Sequence, residues 1–273
     1  MPHASIFEER FRRVASRQNA RVKELRHCFR EAVPNPQGEV AIEGMHLIEE
    51  AIRSGLRLSA VFFGESARAR AHKLVPQLAG QTEALLLPDD VFASAVPSDT
   101  PQGIAALVRA KRFSFEDVLA ARPALLVVTA GLQDPGNLGT IARSGEAFGA
   151  TGLLLGEGTV TPWNWKAMRA SAGSLFRLPA ARVELGEALR EIKLRGLRIL
   201  ASSSHKGTLV WNANLREPVA IVIGGEGGGI PKAIQAQADE VVAIPQSSKV
   251  ESLNAGVAAS IVLYEAARQR KRS

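Results

Sequence analysis

The sequence is poor in cysteine and in aromatic residues. Cys28 is the only cysteine among 273 residues, which excludes a disulfide framework and a zinc site built from several cysteines. Aromatic residues make up 5% of the chain, so neither aromatic cages nor base-stacking platforms dominate. A chain without disulfides suits a reducing compartment, and we expect a cytoplasmic protein.

Several functional signatures are also missing. No run of about 18 apolar residues occurs, and the N-terminal MPHASIFEERFRR lacks the apolar core of a signal peptide. There is no G-x-x-x-x-G-K-[ST] nucleotide loop and no G-x-S-x-G hydrolase elbow, and GGEGGGIP fails G-x-G-x-x-G because Ile230 takes the last position. The five histidines lack metal-ligand spacing. We therefore expect no membrane insertion and no bound metal.

Positive charge is in excess. The chain has 34 Lys and Arg against 27 Asp and Glu, a net charge of +7, and a pI near 10.0. A basic protein favours a polyanionic partner, most often nucleic acid; a merely basic soluble surface is the alternative. Hydrophobic residues make up 46%, enough for the core of one large domain or two ordinary ones.

The first half alternates short apolar strands with helices, which predicts a small α/β domain over residues 1–110. Its first element is predicted as a helix from Ile6 to about Arg30, with arginine and lysine spread along it. Residues 111–122 lack strong strand character and are predicted to form a linker.

The second half, residues 123–273, contains five short apolar runs bounded by turn residues. They are Ala124–Ala130, Gly152–Gly158, Leu197–Ser204, Val219–Gly225 and Val241–Pro245. Continuous apolar runs, rather than alternating ones, are typical of a parallel sheet covered on both faces. Helical segments separate them, which predicts an α/β domain with a mostly parallel sheet.

Three polar loops follow three of these strands: QDPGNLGTIAR, GGEGGGIPK and IPQSSKVESLN. Ligands of open α/β sheets bind outside the carboxyl ends of the strands, so the three loops are expected to converge on one site. The polar residues that could carry chemistry there are Asn137, Arg143, Glu226, Ser252 and Asn254.

Each feature has an ordinary structural alternative. The glycines from Gly224 to Gly229 suit a flexible turn before a helix begun by Pro231. Arg143 suits a solvated helix position, and Ser252 suits a cap of the last helix. Their joint occurrence in three equivalent places favours a site.

The segments DPGNLGTIAR, IVIGGEGGGIP and VAIPQSSKVESLNAGVAASIVLYE resemble, in order and spacing, the three motifs of the SpoU/TrmH-type methyltransferases of the SPOUT superfamily. KAMRASAGSLFRLP resembles the family's segment between the first and second motifs. More weakly, SRQNARVKELR and EGMHLIEEAIRSG resemble the substrate-binding domain that often precedes this catalytic domain.

The resemblance implies methyl transfer from S-adenosylmethionine to a ribose 2′-hydroxyl of RNA. It also implies a trefoil knot near the C-terminus and a homodimer whose active site uses residues of both subunits. Arg143 is then expected at the target ribose, as a positioning and electrostatic group, because a guanidinium resists deprotonation. Asn137 would hold Arg143 or the ribose, Glu226 would orient the arginine or accept a proton, and Ser252 and Asn254 would complete the polar wall.

The positions matching the family's cofactor contacts are Gly224, Ile244 and Leu253, with the two apolar side chains on either side of the adenine. Gln246 is assigned to the same pocket and stands where the family usually has Met. Glycine at 224 is expected to allow close approach of the cofactor to the backbone.

The identity of the RNA is a weaker inference. Arg17, Lys23 and Arg26 suit the phosphates of a structured RNA, and relatives with such an N-terminal domain mostly modify ribosomal RNA. Large-subunit ribosomal RNA is therefore favoured. A transfer-RNA 2′-O-methyltransferase and a non-catalytic RNA-binding or ribosome-assembly protein on the same fold are the alternatives.

Overall fold

The computed structural model describes residues 10–204, 206–247, 249 and 251–271. The chain divides into two compact units. The first comprises Met1–Lys111 and Trp163–Phe176, and the second comprises Arg112–Pro162 and Arg177–Ser273. None of the helices among the described residues is long and apolar enough to cross a membrane.

A five-stranded sheet forms the centre of the first unit. Its strands are β1 (Phe11–Arg13), β2 (Glu39–Glu43), β3 (Leu58–Gly64), β4 (Glu83–Leu87) and β5 (Ile104–Arg109), in the order β1-β4-β3-β5-β2. β5 runs antiparallel to both of its neighbours, whereas β4 is parallel to β1 and β3. The helices are α1 (Ala20–Glu31), α2 (Met45–Arg53), α3 (Arg68–Leu74) and α4 (Asp89–Ala93), with short 3₁₀ turns at Glu65–Ala67 and Val75–Gln77.

The predicted N-terminal helix is wrong in its first part, and residues 6–9 lie outside the described residues. Phe11–Arg13 is a strand that pairs in parallel with Ala84–Leu86. The helix begins only at Ala20, because the Asn19 side chain accepts a hydrogen bond from the Arg21 amide and caps the helix there. Residues 11–13 are extended because they pair with β4, and no local sequence pattern predicts that pairing.

The second unit contains a seven-stranded sheet. Its strands are β6 (Leu125–Ala130), β7 (Gly152–Leu155), β8 (Ala180–Arg182), β9 (Arg198–Ser203), β10 (Thr208–Leu209), β11 (Val219–Gly224) and β12 (Glu240–Ala243). Their order is β10-β12-β9-β11-β6-β7-β8, and every pair of neighbours among the described residues is parallel. The predicted mostly parallel sheet is thus confirmed, whereas the knot stays a prediction.

Six helices belong to the second half of the chain or precede it directly. They are α5 (Phe115–Leu119), α6 (Pro135–Ala147), α7 (Trp165–Ser171), α8 (Leu185–Leu194), α9 (Lys232–Gln235) and α10 (Ala255–Arg270), with a 3₁₀ turn at Ser174–Phe176. α7 belongs to the first unit, where Trp165 packs against the hydrophobic core. The predicted second domain, residues 123–273, includes this segment.

The predicted linker, residues 111–122, contains helix α5. Ser114 and Asp117 form a reciprocal capping box at its start. Val118 and Leu119 are buried in a core cluster of the second unit, so these residues fold with that unit instead of forming an extended connection.

Candidate active site

The first site loop joins β6 to α6, and its unusual composition follows from the way in which it starts the helix. The Asp134 carboxylate accepts a hydrogen bond from the Asn137 amide at 2.7 Å and caps α6, while Pro135 occupies the first turn. This geometry turns the Asn137 side chain inward, where only 6% of the residue is exposed. A connector residue would not be buried in this way.

Glu226, in the loop after β11, is the partner of Asn137. The Asn137 Nδ2 amide donates to Glu226 Oε1 at 2.5 Å, and the Gln133 backbone N–H donates to Oε2 at 3.2 Å. Desolvation acts to raise the pKa of Glu226, but these hydrogen bonds and others from backbone amides bring it below the ordinary value of 4.5. Glu226 is therefore an anion at neutral pH and serves as a hydrogen-bond acceptor that joins two loops 89 residues apart.

The glycine-rich loop after β11 is packed closely against backbone. A Cβ on Gly224 would lie 2.4 Å from the Gly229 carbonyl carbon, and one on Gly225 would lie 2.0 Å from the Gly131 oxygen. The Gly225 N–H also donates to Ala130 O at 2.9 Å. The glycine at 224 is thus required by the fold of the loop itself, a different reason from the cofactor approach expected from sequence.

A cleft of about 570 Å³ opens at the carboxyl ends of β9, β11 and β12. Most of the predicted site residues line it: Gly224, Glu226, Ile244, Gln246, Ser252, Leu253 and Asn254. The cleft is also lined by three serines at the end of β9 that were not predicted from the sequence (Ser202, Ser203 and Ser204). The only sequence signal for them is their position after a predicted strand.

Asn254 has a structural role as well as a place in the cleft. Its side chain accepts a hydrogen bond from the Val257 amide at 3.2 Å and caps α10. The capping role considered for Ser252 therefore belongs to Asn254, and Ser252 is exposed at the cleft.

Gln246 presents an unsatisfied acceptor beside the cleft. Its Nε2 donates to the Ser204 carbonyl at 2.5 Å. Its Oε1 is buried and has no hydrogen-bond partner among the described residues. A buried acceptor without a partner is costly, so a bound molecule that reached this atom with a donor would relieve that cost.

Arg143 lies elsewhere on the same unit. It is exposed on α6, about 9 Å along the helix axis from Asn137. Within the described part of the chain its side chain has neither a hydrogen bond nor an ion pair, and it is not among the residues lining the cleft. Its guanidinium is free to bind an external anion.

The predicted RNA-binding residues of the first unit differ in their contacts. Arg17 forms an ion pair with Asp90 at 2.7 Å, and Arg26 donates to the Ser94 carbonyl at 2.8 Å. Lys23 is exposed, and its side chain makes no hydrogen bond or ion pair with other described residues. Arg26 thus attaches α1 to the end of α4, and Lys23 is the most available of the three charges.

Comparison with known proteins gives the family. The SpoU rRNA Methylase family matches residues 124–264, and the MRM3-like substrate binding domain matches residues 19–106. The chain belongs to the SpoU rRNA methylase family. Both halves of the resemblance noted in the sequence are confirmed.

Curated relatives of this SpoU family protein match it over nearly its whole length. An uncharacterized tRNA/rRNA methyltransferase of Synechocystis is 32% identical over 259 residues, 94% of each chain. The 23S rRNA (guanosine(2553)-2′-O)-methyltransferase RlmP of Bacillus subtilis is 30% identical over 253 residues, 93% of this chain and 98% of that protein.

Solved structures of SpoU methyltransferases are similar over both units. AviRb of Streptomyces viridochromogenes in complex with AdoMet has a TM-score of 0.81 and 27% identity, covering 93% of this chain and 99% of that one. An AdoMet-bound rRNA methyltransferase of Sinorhizobium meliloti has a TM-score of 0.81 and 26% identity, covering 95% of this chain and 98% of that one.

Proposed function

We propose that this SpoU family enzyme transfers a methyl group from S-adenosylmethionine to a ribose 2′-hydroxyl in ribosomal RNA, with the large subunit favoured. The observation that carries the proposal is the cleft at the strand ends, closed on one side by the loop that Glu226 holds to Asn137. RlmP, a 2′-O-methyltransferase of 23S rRNA, matches both units of the chain. With ribosomal RNA as substrate, we propose the cytoplasm as the place of action.

The cleft fits S-adenosylmethionine. A volume of about 570 Å³ lies within the range of roughly 300–1,000 Å³ typical of small-molecule sites. Ile244 and Leu253 supply apolar surface for a flat base, and Ser252 and Asn254 supply polar atoms. When bound, the cofactor supplies an electrophilic methyl group on a sulfonium centre, and these residues hold and orient it.

The remaining chemistry belongs to the target hydroxyl, which is a poor nucleophile at neutral pH. Arg143, exposed and unpaired with any described residue, would position the ribose through the adjacent phosphate and stabilise negative charge as it develops on the oxygen. Glu226 is unsuited to accept the proton, because its lowered pKa means that it holds a proton weakly. We assign Glu226 a positioning role, in which its hydrogen bond from Asn137 holds two loops of the site together.

The direct test uses purified protein, tritiated-methyl S-adenosylmethionine, and unmodified transcripts of large-subunit ribosomal RNA and of transfer RNAs. We expect label in the ribosomal RNA, at a nucleotide whose 3′ linkage has become resistant to alkali, since alkaline cleavage requires a free 2′-hydroxyl. Label confined to transfer RNA would establish the first alternative. Binding of RNA without any label would establish the non-catalytic one.

The homodimer is also part of the proposal. Helices α6 and α10 pack together, with the Ser144 and Ser260 hydroxyls 2.7 Å apart. They leave large apolar side chains exposed: Val257 at 46% and Tyr264 at 55%, the latter in edge contact with Phe148. A second copy would cover this surface and would bring its own α6, which carries Arg143, to the interface.

Tyr264→Arg should convert the dimer into a monomer, because the interface would have to bury an unpaired charge. Light scattering at micromolar concentration measures the mass, and Leu194→Arg, at another exposed apolar residue of the second unit, is the matched control. A wild-type protein that is monomeric at all concentrations tested would refute the dimer.

Gln246→Met should weaken binding of S-adenosylmethionine and S-adenosylhomocysteine by about tenfold, the value of one hydrogen bond to the otherwise unpartnered Oε1. Calorimetry gives the affinity, and thermal unfolding of the free protein controls for folding. Gln235→Met, at an exposed glutamine of α9, should change neither quantity. Equal affinity in Gln246→Met would show that Oε1 does not contact the cofactor.

A further inference from the structure

Two arginines lie side by side at one edge of the first unit. Arg57 directly precedes β3 and Arg109 ends β5, and the Arg109 N–H donates to the Arg57 carbonyl at 2.8 Å. They border a pocket of about 170 Å³ whose other lining residues are Gln37, Glu39 and Ser59. The backbone therefore fixes two cationic side chains next to one small polar pocket.

Arg57 and Arg109 form no ion pair with another described residue. Both residues are exposed, and neither side chain has a hydrogen bond or an ion pair within the described residues. Glu39 lines the pocket, but it is buried and its carboxylate accepts a hydrogen bond from Asn35 Nδ2 at 3.2 Å. Lys111, whose ammonium donates to the Ser54 carbonyl, adds a third positive charge after β5.

Three other arginines of this unit differ from Arg57 and Arg109 because each forms an ion pair. Arg17 pairs with Asp90, Arg21 with Glu83 and Arg53 with Glu50. Like charges held together repel, so the uncompensated pair of Arg57 and Arg109 is a place where a bound anion relieves repulsion. Two planar guanidinium groups are the arrangement that binds phosphate oxygens in a bidentate manner.

We infer that the pocket between Arg57 and Arg109 binds a backbone phosphate of the RNA substrate. This inference rests on the proposed function for the nature of the anion. The two guanidinium groups at the pocket suit a phosphodiester group, and such a contact supplies affinity and register without reading sequence. It adds a surface at the start of β3 and the end of β5 to Arg17, Lys23 and Arg26, considered above.

The test is filter binding of a large-subunit ribosomal RNA transcript to the full chain at several salt concentrations. The Arg57→Gln/Arg109→Gln variant should bind roughly 10- to 100-fold more weakly at low salt, as expected for two lost charge-assisted contacts. The slope of log affinity against log salt should fall by about 0.7–0.9, the value typical of one phosphate contact. Its affinity for S-adenosylhomocysteine and its thermal midpoint should match the wild type.

Arg30→Gln/Arg53→Gln is the matched control, since it removes the same charge from exposed arginines of the same unit that already pair with Glu31 and Glu50. Its salt slope should stay close to that of the wild type. Equal slopes for the Arg57 and Arg109 variant and the wild type would overturn the inference. A wild-type protein that binds the transcript but transfers no methyl group would instead refute the proposed function and leave the phosphate site standing.

Discussion

Arg143→Ala should lower single-turnover methyl transfer to ribosomal RNA by about 10²-fold or more, with little change in S-adenosylmethionine affinity. The residue is exposed on α6 and lies outside the set that lines the cleft, so its removal leaves the cofactor pocket intact. In the proposed mechanism this variant loses the group that stabilises the developing oxyanion. Removing one preorganised oxyanion donor from an enzyme costs roughly 2.7–4 kcal/mol.

Two further variants test whether the loss of methyl transfer is specific to the guanidinium group of Arg143. Arg143→Lys should also be poor, because a point charge cannot reproduce the planar fork that engages two oxygens. Arg190→Ala removes an equally exposed arginine from α8 of the same unit and should transfer at the wild-type rate. Wild-type transfer by Arg143→Ala would remove Arg143 from the mechanism.

Gly224→Ala should reduce the affinity for S-adenosylmethionine and lower the thermal midpoint together. The new methyl carbon would lie 2.4 Å from the Gly229 carbonyl carbon and 2.6 Å from the Ile230 nitrogen, both backbone atoms that cannot rotate away. Relief requires the loop after β11 to move, at a cost of about 1–3 kcal/mol. If binding needs the original loop, affinity falls by roughly 5- to 150-fold.

Gly228→Ala is the natural control for this substitution. Gly228 is in the same loop, its Cβ would meet no atom within 4 Å, and its φ is not in the left-handed region. Calorimetry and thermal unfolding should give wild-type values for it. If Gly224→Ala binds the cofactor normally, the loop is a connector whose shape the cleft does not need.

The sequence was sufficient for the elements whose signal is local. Five continuous apolar runs gave β6, β7, β9, β11 and β12 to within a few residues, since a strand buried on both faces must be apolar throughout. The order of the three loops was enough to reveal the family, which the matching domains confirm.

The short strands at the two edges of the second sheet carry no such local signal. β8 has three residues and β10 has two, too few to show a period. Residues 11–13 were misread as helix because their strand conformation depends on β4, some 70 residues later. α7 belongs to the first unit because Trp165 finds apolar partners there, which nothing in KAMRASAGS reveals.

At the site, the sequence named the residues and the tertiary structure decided their roles. It supplied Asn137, Glu226 and Gln246 as polar side chains in loops, but their partners are 89 and 42 residues away. Only the fold shows that Glu226 is an anion held by amides, that Gln246 keeps an unpartnered acceptor and that Arg57 and Arg109 are adjacent. Apolar periodicity is a property of neighbouring residues, whereas hydrogen bonds and charge pairs depend on which distant strands the sheet places side by side.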